Sequence, residues 1–301
     1  MKRLFVVGLL CGMVAASAVG LFLFKNRVEE NVKVTQSQIH RYGDPETSIE
    51  KVRIKAFYVV PTDQNEVNEE KWRWLRARMI YALDQAALFH EVQFRRQSAI
   101  VYDIYPNPVI LSRNSDYYDA GSRTVILISN EIEKRVFRPS GDLYDESFVQ
   151  SGPSEYNVIG LVYEGPGGWG GAVYESGLED PEKIADCLGI SPAMVAIVEG
   201  EFADGFFLVS NKEYFFDPNF RSFGTSIVYH ELGHAMGLPD RYVSKGIEID
   251  NVSASCDEPP EQAAGVVSVR QTNDIMGLGR FKPIEINYID RELTREMGLV
   301  E

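Results

Sequence analysis

One string constrains this chain more than any other: His230-Glu231-Leu232-Gly233-His234-Ala235-Met236-Gly237-Leu238-Pro239-Asp240, or HExxHxxGxxD. On a helix, residues four apart share a face, so His230 and His234 can aim their imidazoles at one metal ion. Glu231 lies beside them, within reach of a water at that ion. Gly237 is the expected helix stop, because glycine accepts the left-handed conformation that ends helices. After the turn, Asp240 can swing back as a third, oxygen ligand. Three protein ligands leave a fourth position open, the arrangement of a catalytic zinc site.

The bland alternative is a surface helix with two solvated histidines. Against it, the whole chain has 4 histidines and two of them sit here. A glycine and a carboxylate follow at the spacing a returning ligand needs. Apolar neighbours (Ile227, Val228, Leu232, Met236, Leu238) place the helix in a core.

The pattern resembles the metzincin zinc peptidases, whose signature is HExxHxxGxx, a third ligand and a later Met-turn. Most metzincins use histidine as the third ligand, where this chain has Asp240. The longer string HELGHAMGLPDRY is similar to that of the snapalysin-type and immune-inhibitor-A-type secreted bacterial peptidases, which share a G-L-P-D-x-Y continuation. Asn273-Asp274-Ile275-Met276-Gly277 is the candidate Met-turn, with Met276 following Asp240 by 36 residues. The resemblance implies an α/β (α+β) zincin: a twisted mixed sheet, a long backing helix, an active-site helix, a Met-turn and a C-terminal helix. It also implies Met276 as an apolar floor beneath the zinc. An edge strand over the cleft, at Gly170-Gly171-Ala172-Val173, would pair with an extended substrate, and glycine permits the close backbone approach this needs. The ordinary alternative for that stretch is a surface turn. Some metzincins carry a tyrosine two residues after the Met; here that position is Leu278.

Other classes are excluded by composition. Net charge is −14, which opposes nucleic-acid binding, since phosphate contacts need clustered Lys and Arg. An acidic surface can hold Ca2+, though no EF-hand pattern is present. Of 3 cysteines, Cys11 lies in the first apolar run. Cys187 and Cys256 either pair in an oxidising compartment or remain free thiols.

The chain has 301 residues, room for one catalytic domain and an anchor. After a basic head, residues 4–24 carry no charge over 21 positions. That run spans about 30 Å, one bilayer core. Residues 1–27 read as an uncleaved transmembrane signal-anchor, with a cleaved signal peptide as the alternative, since Ala16-Ser17-Ala18 is a small-x-small site. Residues 28–50 read as a polar stalk containing a solvated His40, and 51–301 as the catalytic domain, outside the cytoplasm.

Within that domain, alternation predicts strands at 51–60, 98–105, 124–129, 156–163 and 206–209. A short strand at 194–198 and a short helix at 180–188 are also expected. The backing helix is expected over 69–94, with Trp72, Leu75, Met79, Leu83 and Leu88 on its core side and His90 capping or exposed near its end. Residues 131–153 read as a loop and 289–297 as a closing helix. Asn251-Val252-Ser253 is a sequon in a loop-rich span.

Together these features predict a membrane-anchored, extracytoplasmic zinc metalloendopeptidase acting on peptide or protein substrates. Zn2+ would be held by His230, His234 and Asp240, and Glu231 would be the general base. An aspartate ligand weakens zinc's Lewis acidity relative to three histidines, so a compensating donor is expected, and Tyr242 is the candidate. In one rival, Glu248 or Glu261 replaces Asp240 as ligand. In another, the chain is a non-catalytic extracytoplasmic binding domain that retains a metal site; the intact Glu231 argues against it.

Overall fold

The apolar runs at 56–60, 158–163 and 205–209 are too uniformly hydrophobic to leave either face in water. That is the pattern of strands covered on both sides. In the computed structural model they form the centre of one sheet. The structure describes residues 39–64, 67–118, 123–149, 154–165, 170–173, 203–211, 220–241 and 273–300, together with 152, 215 and 218.

A small hairpin, β1 (His40–Arg41) and β2 (Asp44–Ser48), precedes the main strands. These are β3 (Lys51–Val60), β4 (Ala99–Ile104), β5 (Val109–Ile110), β6 (Glu155–Tyr163), β7 (Gly170–Val173) and β8 (Gly205–Ser210). They make a 6-stranded sheet in the order β4-β3-β6-β8-β7, with β5 beside the end of β3. Every pair is parallel except β7 with β8. The fold is therefore α/β with a mixed sheet.

Alternate side chains separate two cores. Val52, Ile54, Ala56, Tyr58 and Val60 of β3 join Val158, Phe207 and Val209 on one face. Phe57, Val59, Ile159, Leu161, Phe206 and Leu208 face the other way. Each Val, Ile, Leu or Phe among them contributes about 1.5–3 kcal/mol on full burial.

Helix α1 (Glu69–Gln93) covers the first face. Asn68 caps it, accepting from the Lys71 N–H at 2.8 Å, and Glu69 and Glu70 meet the positive end of the helix dipole. Leu75, Met79 and Leu83 are buried as expected, but Leu88 is 58% exposed. The inward stripe runs instead through Ala82, Ala86 and Phe89. His90 is also inward and fully buried, contrary to the exposed or capping role expected for it.

Helix α2 (Arg123–Phe137) covers the second face, and here the sequence reading is corrected. Thr124–Ser129, expected as a strand, is helical, and residues 131–153 are not a plain loop: α2 runs through Phe137 and Glu146–Val149 forms one more turn. The β-branched Thr-Val-Ile-Leu-Ile run favours a strand locally. The burial of Val125, Ile128, Ile132 and Val136 follows helical spacing across its expected end, and packing against the sheet decides the outcome.

The stalk reading changes too. Ile39 and Ile49 are fully buried, and the hairpin turns at Gly43, whose φ is 75°. The His40 N–H donates to Met297 O (3.0 Å) and the Tyr42 N–H to Met236 O (3.2 Å), so residues 39–50 belong to the folded unit Ile39–Glu301. Half-buried His40 is part of this hairpin.

Helix α3 (Thr225–Ala235) packs against α1, β7 and β8, and α4 (Arg291–Glu296) closes the chain from an Asp290 cap. Among the described residues no helix is long and apolar enough to cross a membrane. The anchor at 4–24, the elements expected at 180–188 and 194–198, Cys187, Cys256 and Asn251 lie outside the described residues.

Candidate metal centre

Helix α3 is buried on nearly all sides, from Thr225 through Gly233. Its end is built from paired hydrogen bonds. The Gly237 N–H donates to His234 O (2.9 Å) and the Leu238 N–H to Gly233 O (3.0 Å), with Gly237 at φ 85°. This is a Schellman ending, and it is where glycine was expected. A Cβ at Gly237 would also lie 2.8 Å from Tyr42 O. The chain then doubles back, and the Arg241 N–H donates to Met276 O (2.8 Å), which holds Asp240 over the helix.

Three donor atoms converge there. His230 Nε2 and His234 Nε2 are 3.2 Å apart, and Asp240 Oδ1 is 3.3 Å from each. Each imidazole is oriented from behind: His230 Nδ1 bonds to Ile275 O and His234 Nδ1 to Leu238 O, both at 2.8 Å. A carbonyl only accepts, so each Nδ1 carries a proton, and in the neutral ring each Nε2 offers a lone pair. Asp240 Oδ1 is buried and makes no hydrogen bond, although two nitrogens stand beside it. Donors about 2.0–2.1 Å from a tetrahedral zinc stand about 3.3–3.4 Å from one another, so the set fits such an ion.

Glu231 also lies in this cluster, with Oε1 3.9 Å from His230 Nε2. The side chains grouped closely enough to hold an ion are His230, Glu231 and His234, and Asp240 is the carboxylate that lies nearer to both imidazoles. Glu248 and Glu261, the alternative third ligands, lie outside the described residues.

The carboxylates and imidazoles shift one another's protonation. Burial raises the Glu231 carboxyl above its usual range, with the Asp240 charge adding to the effect and the imidazoles and Arg280 opposing it. Burial works against a charged His234, but Asp240 and Glu231 outweigh it and raise the imidazole to about 9. Burial pushes Asp240 upward, yet the two histidines hold it well below the carboxylate range. A pocket with two carboxylates takes up positive charge, as protons or as a metal ion.

The surroundings are tight. Met276 is fully buried, and a Cβ on Gly233, between the two histidines, would come 2.5 Å from its Sδ. Strand β7 crosses the other side. A Cβ on Gly171 would lie 2.0 Å from Glu231 O and 3.2 Å from His234 Cβ. Only glycine lets the edge strand touch the helix at Glu231 and His234. Gly170, Gly171, Ala172 and Val173 pair antiparallel with Leu208, Phe207, Phe206 and Gly205.

The structure thus brings together His230, Glu231, His234, Asp240, Met276 and the 170–173 strand. Tyr242 lies outside the described residues. The acidic residues of the loop-rich span 242–272 do as well.

Two groups were not singled out from sequence. Arg280, only 7% exposed, places Nη1 3.2 Å from His230 Nε2. It lies four residues beyond Met276, and nothing in the local pattern marks it. The second is a relay behind the helix: His90 bonds to Tyr229 Oη (2.8 Å) and Ser98 Oγ (2.7 Å), and Ser98 donates to Ile49 O. Its members are far apart in the chain, so only the fold reveals it. No protein-family model matches the chain, and no curated protein matches it.

Proposed function

We propose that this chain is a membrane-anchored, extracytoplasmic zinc metalloendopeptidase of metzincin type. The observation that carries the reading is the triangle of His230 Nε2, His234 Nε2 and Asp240 Oδ1, with edges of 3.2–3.3 Å, beside a buried Glu231. These donors would hold Zn2+. When bound, the ion supplies Lewis acidity toward water and the scissile carbonyl.

The chain's own residues do the rest. Glu231 Oε1, lifted in basicity by burial, takes the proton of the attacking water. It then gives that proton to the peptide nitrogen as the C–N bond breaks. The bonds from both Nδ1 atoms to backbone carbonyls keep each Nε2 aimed inward. Strand β7 offers its outer edge to an extended peptide, which adds as a further strand across the cleft. A buried Met276 closes the floor. The apolar run at 4–24 supplies the anchor.

The test is cleavage of a diverse peptide mixture, read by mass spectrometry, with E231Q protein and a chelated sample alongside. Cleavage that disappears in both controls is the expected result. A folded, zinc-loaded chain that cleaves nothing overturns the reading in favour of a binding module.

A further inference from the structure

Helix α1 ends in an unusual turn. Arg95 and Arg96 follow it with φ 51° and 62°, two adjacent arginines in the left-handed region that glycine enters freely. The Arg96 N–H donates to Glu91 O (2.8 Å) and the Gln97 N–H to Phe94 O (2.8 Å), which hold the turn. Both side chains are exposed, and neither makes an ion pair or side-chain hydrogen bond among the described residues. Arginine at a helix C-terminus complements the dipole, but that ordinary role needs no left-handed pair. Backbone strain of this kind is kept where packing or function enforces it. The same end of the molecule exposes apolar side chains. Leu88 and Val92, each more than half exposed, lie four apart on α1 and share a face. The Ile289 N–H donates to Gln93 Oε1 (2.9 Å), which sets the segment bearing the exposed Ile286 and Tyr288 against the end of α1.

The folded unit also begins at this end. Ile39 O accepts from the Ile49 N–H (2.9 Å), Ile49 O accepts from Ser98 Oγ, and Ser98 stands two residues after Arg96. In the sequence, 14 residues, 25–38, join Ile39 to the uncharged run 4–24. Fully extended, such a tether reaches about 50 Å. It keeps the unit within reach of a bilayer but sets no orientation. It also makes weak docking effective, because the two surfaces are already confined together. The chain carries −14 overall, so an anionic surface repels most of the molecule and favours the corner with Arg95 and Arg96.

We propose that the surface formed by Leu88, Val92, Arg95, Arg96, Ile286 and Tyr288 docks on the anionic lipid headgroups of the membrane that holds the anchor. The guanidiniums bind lipid phosphates, the aliphatic side chains enter the acyl boundary, and Tyr288 sits at headgroup level. Each arginine at such a surface shifts the docking equilibrium about fivefold, so the pair contributes about 30-fold. The consequence for the site is orientation. The Ile275 N–H donates to Tyr288 O (2.8 Å) and the Tyr288 N–H to Asn273 O (3.0 Å). The docked segment is thereby tied to the Met276 turn, and the cleft is held at one attitude to the bilayer. The inference rests on the membrane anchor of the reading above and not on its zinc chemistry.

The experiment places the full chain in nanodiscs of phosphatidylcholine, alone or mixed with phosphatidylglycerol, at one chain per disc. Amide hydrogen exchange is read by mass spectrometry. Wild type is compared with R95G/R96G, which keeps the left-handed turn and removes both charges, and with L88S/V92S. In the wild type, exchange at residues 92–97 and 286–289 should slow about tenfold in anionic discs relative to neutral ones, and molar salt should abolish the slowing. R95G/R96G should lose the slowing while its thermal midpoint holds or rises, since glycine relieves the turn. L88S/V92S should lose part of it. Equal exchange in both discs, or slowing that persists in R95G/R96G, overturns the docking surface. Slowing that appears only with two chains per disc assigns the face to a second copy and overturns it as well. A chain that elutes without lipid refutes the anchor and the docking with it, an outcome distinct from an anchored chain with equal exchange.

Discussion

Two buried histidine sites lie back to back on helix α3, and their chemistry is opposite. Tyr229 faces His90, whose ring is wholly buried and bonded to two hydroxyls. The Ser98 proton goes to Ile49 O, so Ser98 accepts from His90 Nε2 and Tyr229 donates to Nδ1. With no charged partner, burial drives the His90 imidazole down to about 3. The next residue, His230, points the other way, toward His234 and two carboxylates, where His234 is raised to about 9. Burial is common to both sites; the partners differ. Hydroxyls make a neutral histidine that fastens the helix to α1 and the sheet. Carboxylates make a cluster that could hold a cation.

This contrast can be broken by mutation. The largest effect is expected from D240A and H234A, which remove donors: neither should retain zinc in chelator competition, and peptide cleavage should disappear with it. E231Q should keep zinc and lose about 10²–10⁴ in kcat, since it removes the proton acceptor alone. H90F leaves the Tyr229 and Ser98 hydroxyls without their partner. It should cost about 1–3 kcal/mol in denaturant unfolding while zinc affinity is unchanged. Loss of zinc in H90F would contradict the separation of the two sites.

The smallest effect is on pH dependence, and the two sites predict opposite signs. His90 is neutral when folded down to about 3 and titrates near 6.5 when unfolded, so its contribution is present above 6.5 and fades as pH falls below it. His234 in the metal-free protein binds a proton up to about 9, so its contribution is full below 6.5 and is lost as pH rises toward 9. Thermal unfolding of metal-free wild type, H90F and H234A separates them. H90F should lack the acid loss and H234A the alkaline loss. Zinc should flatten the alkaline limb of the wild type.

The sheet was legible because its central strands are apolar runs of the right length, and the long helix because its caps and spacing agree. What failed had specific causes. Thr124–Ser129 has strand propensity, and only its packing under the sheet makes it helical. Residues 39–50 look polar, yet two isoleucines pin them to the body. At the site, His230, Glu231, His234, Gly237 and Asp240 could be read because helix geometry turns sequence spacing into spatial proximity. Arg280, His90 and Ser98 could not, since they reach the helix through long-range packing.

The central claim is that His230, His234 and Asp240 together bind zinc. Zinc K-edge absorption spectroscopy on the loaded full chain, with D240A alongside, tests it most directly. The account predicts one zinc with two imidazoles and a first shell of nitrogen and oxygen at about 2.0–2.1 Å, lost or altered in D240A. A wild type that binds no zinc, or a shell unchanged in D240A, would contradict it.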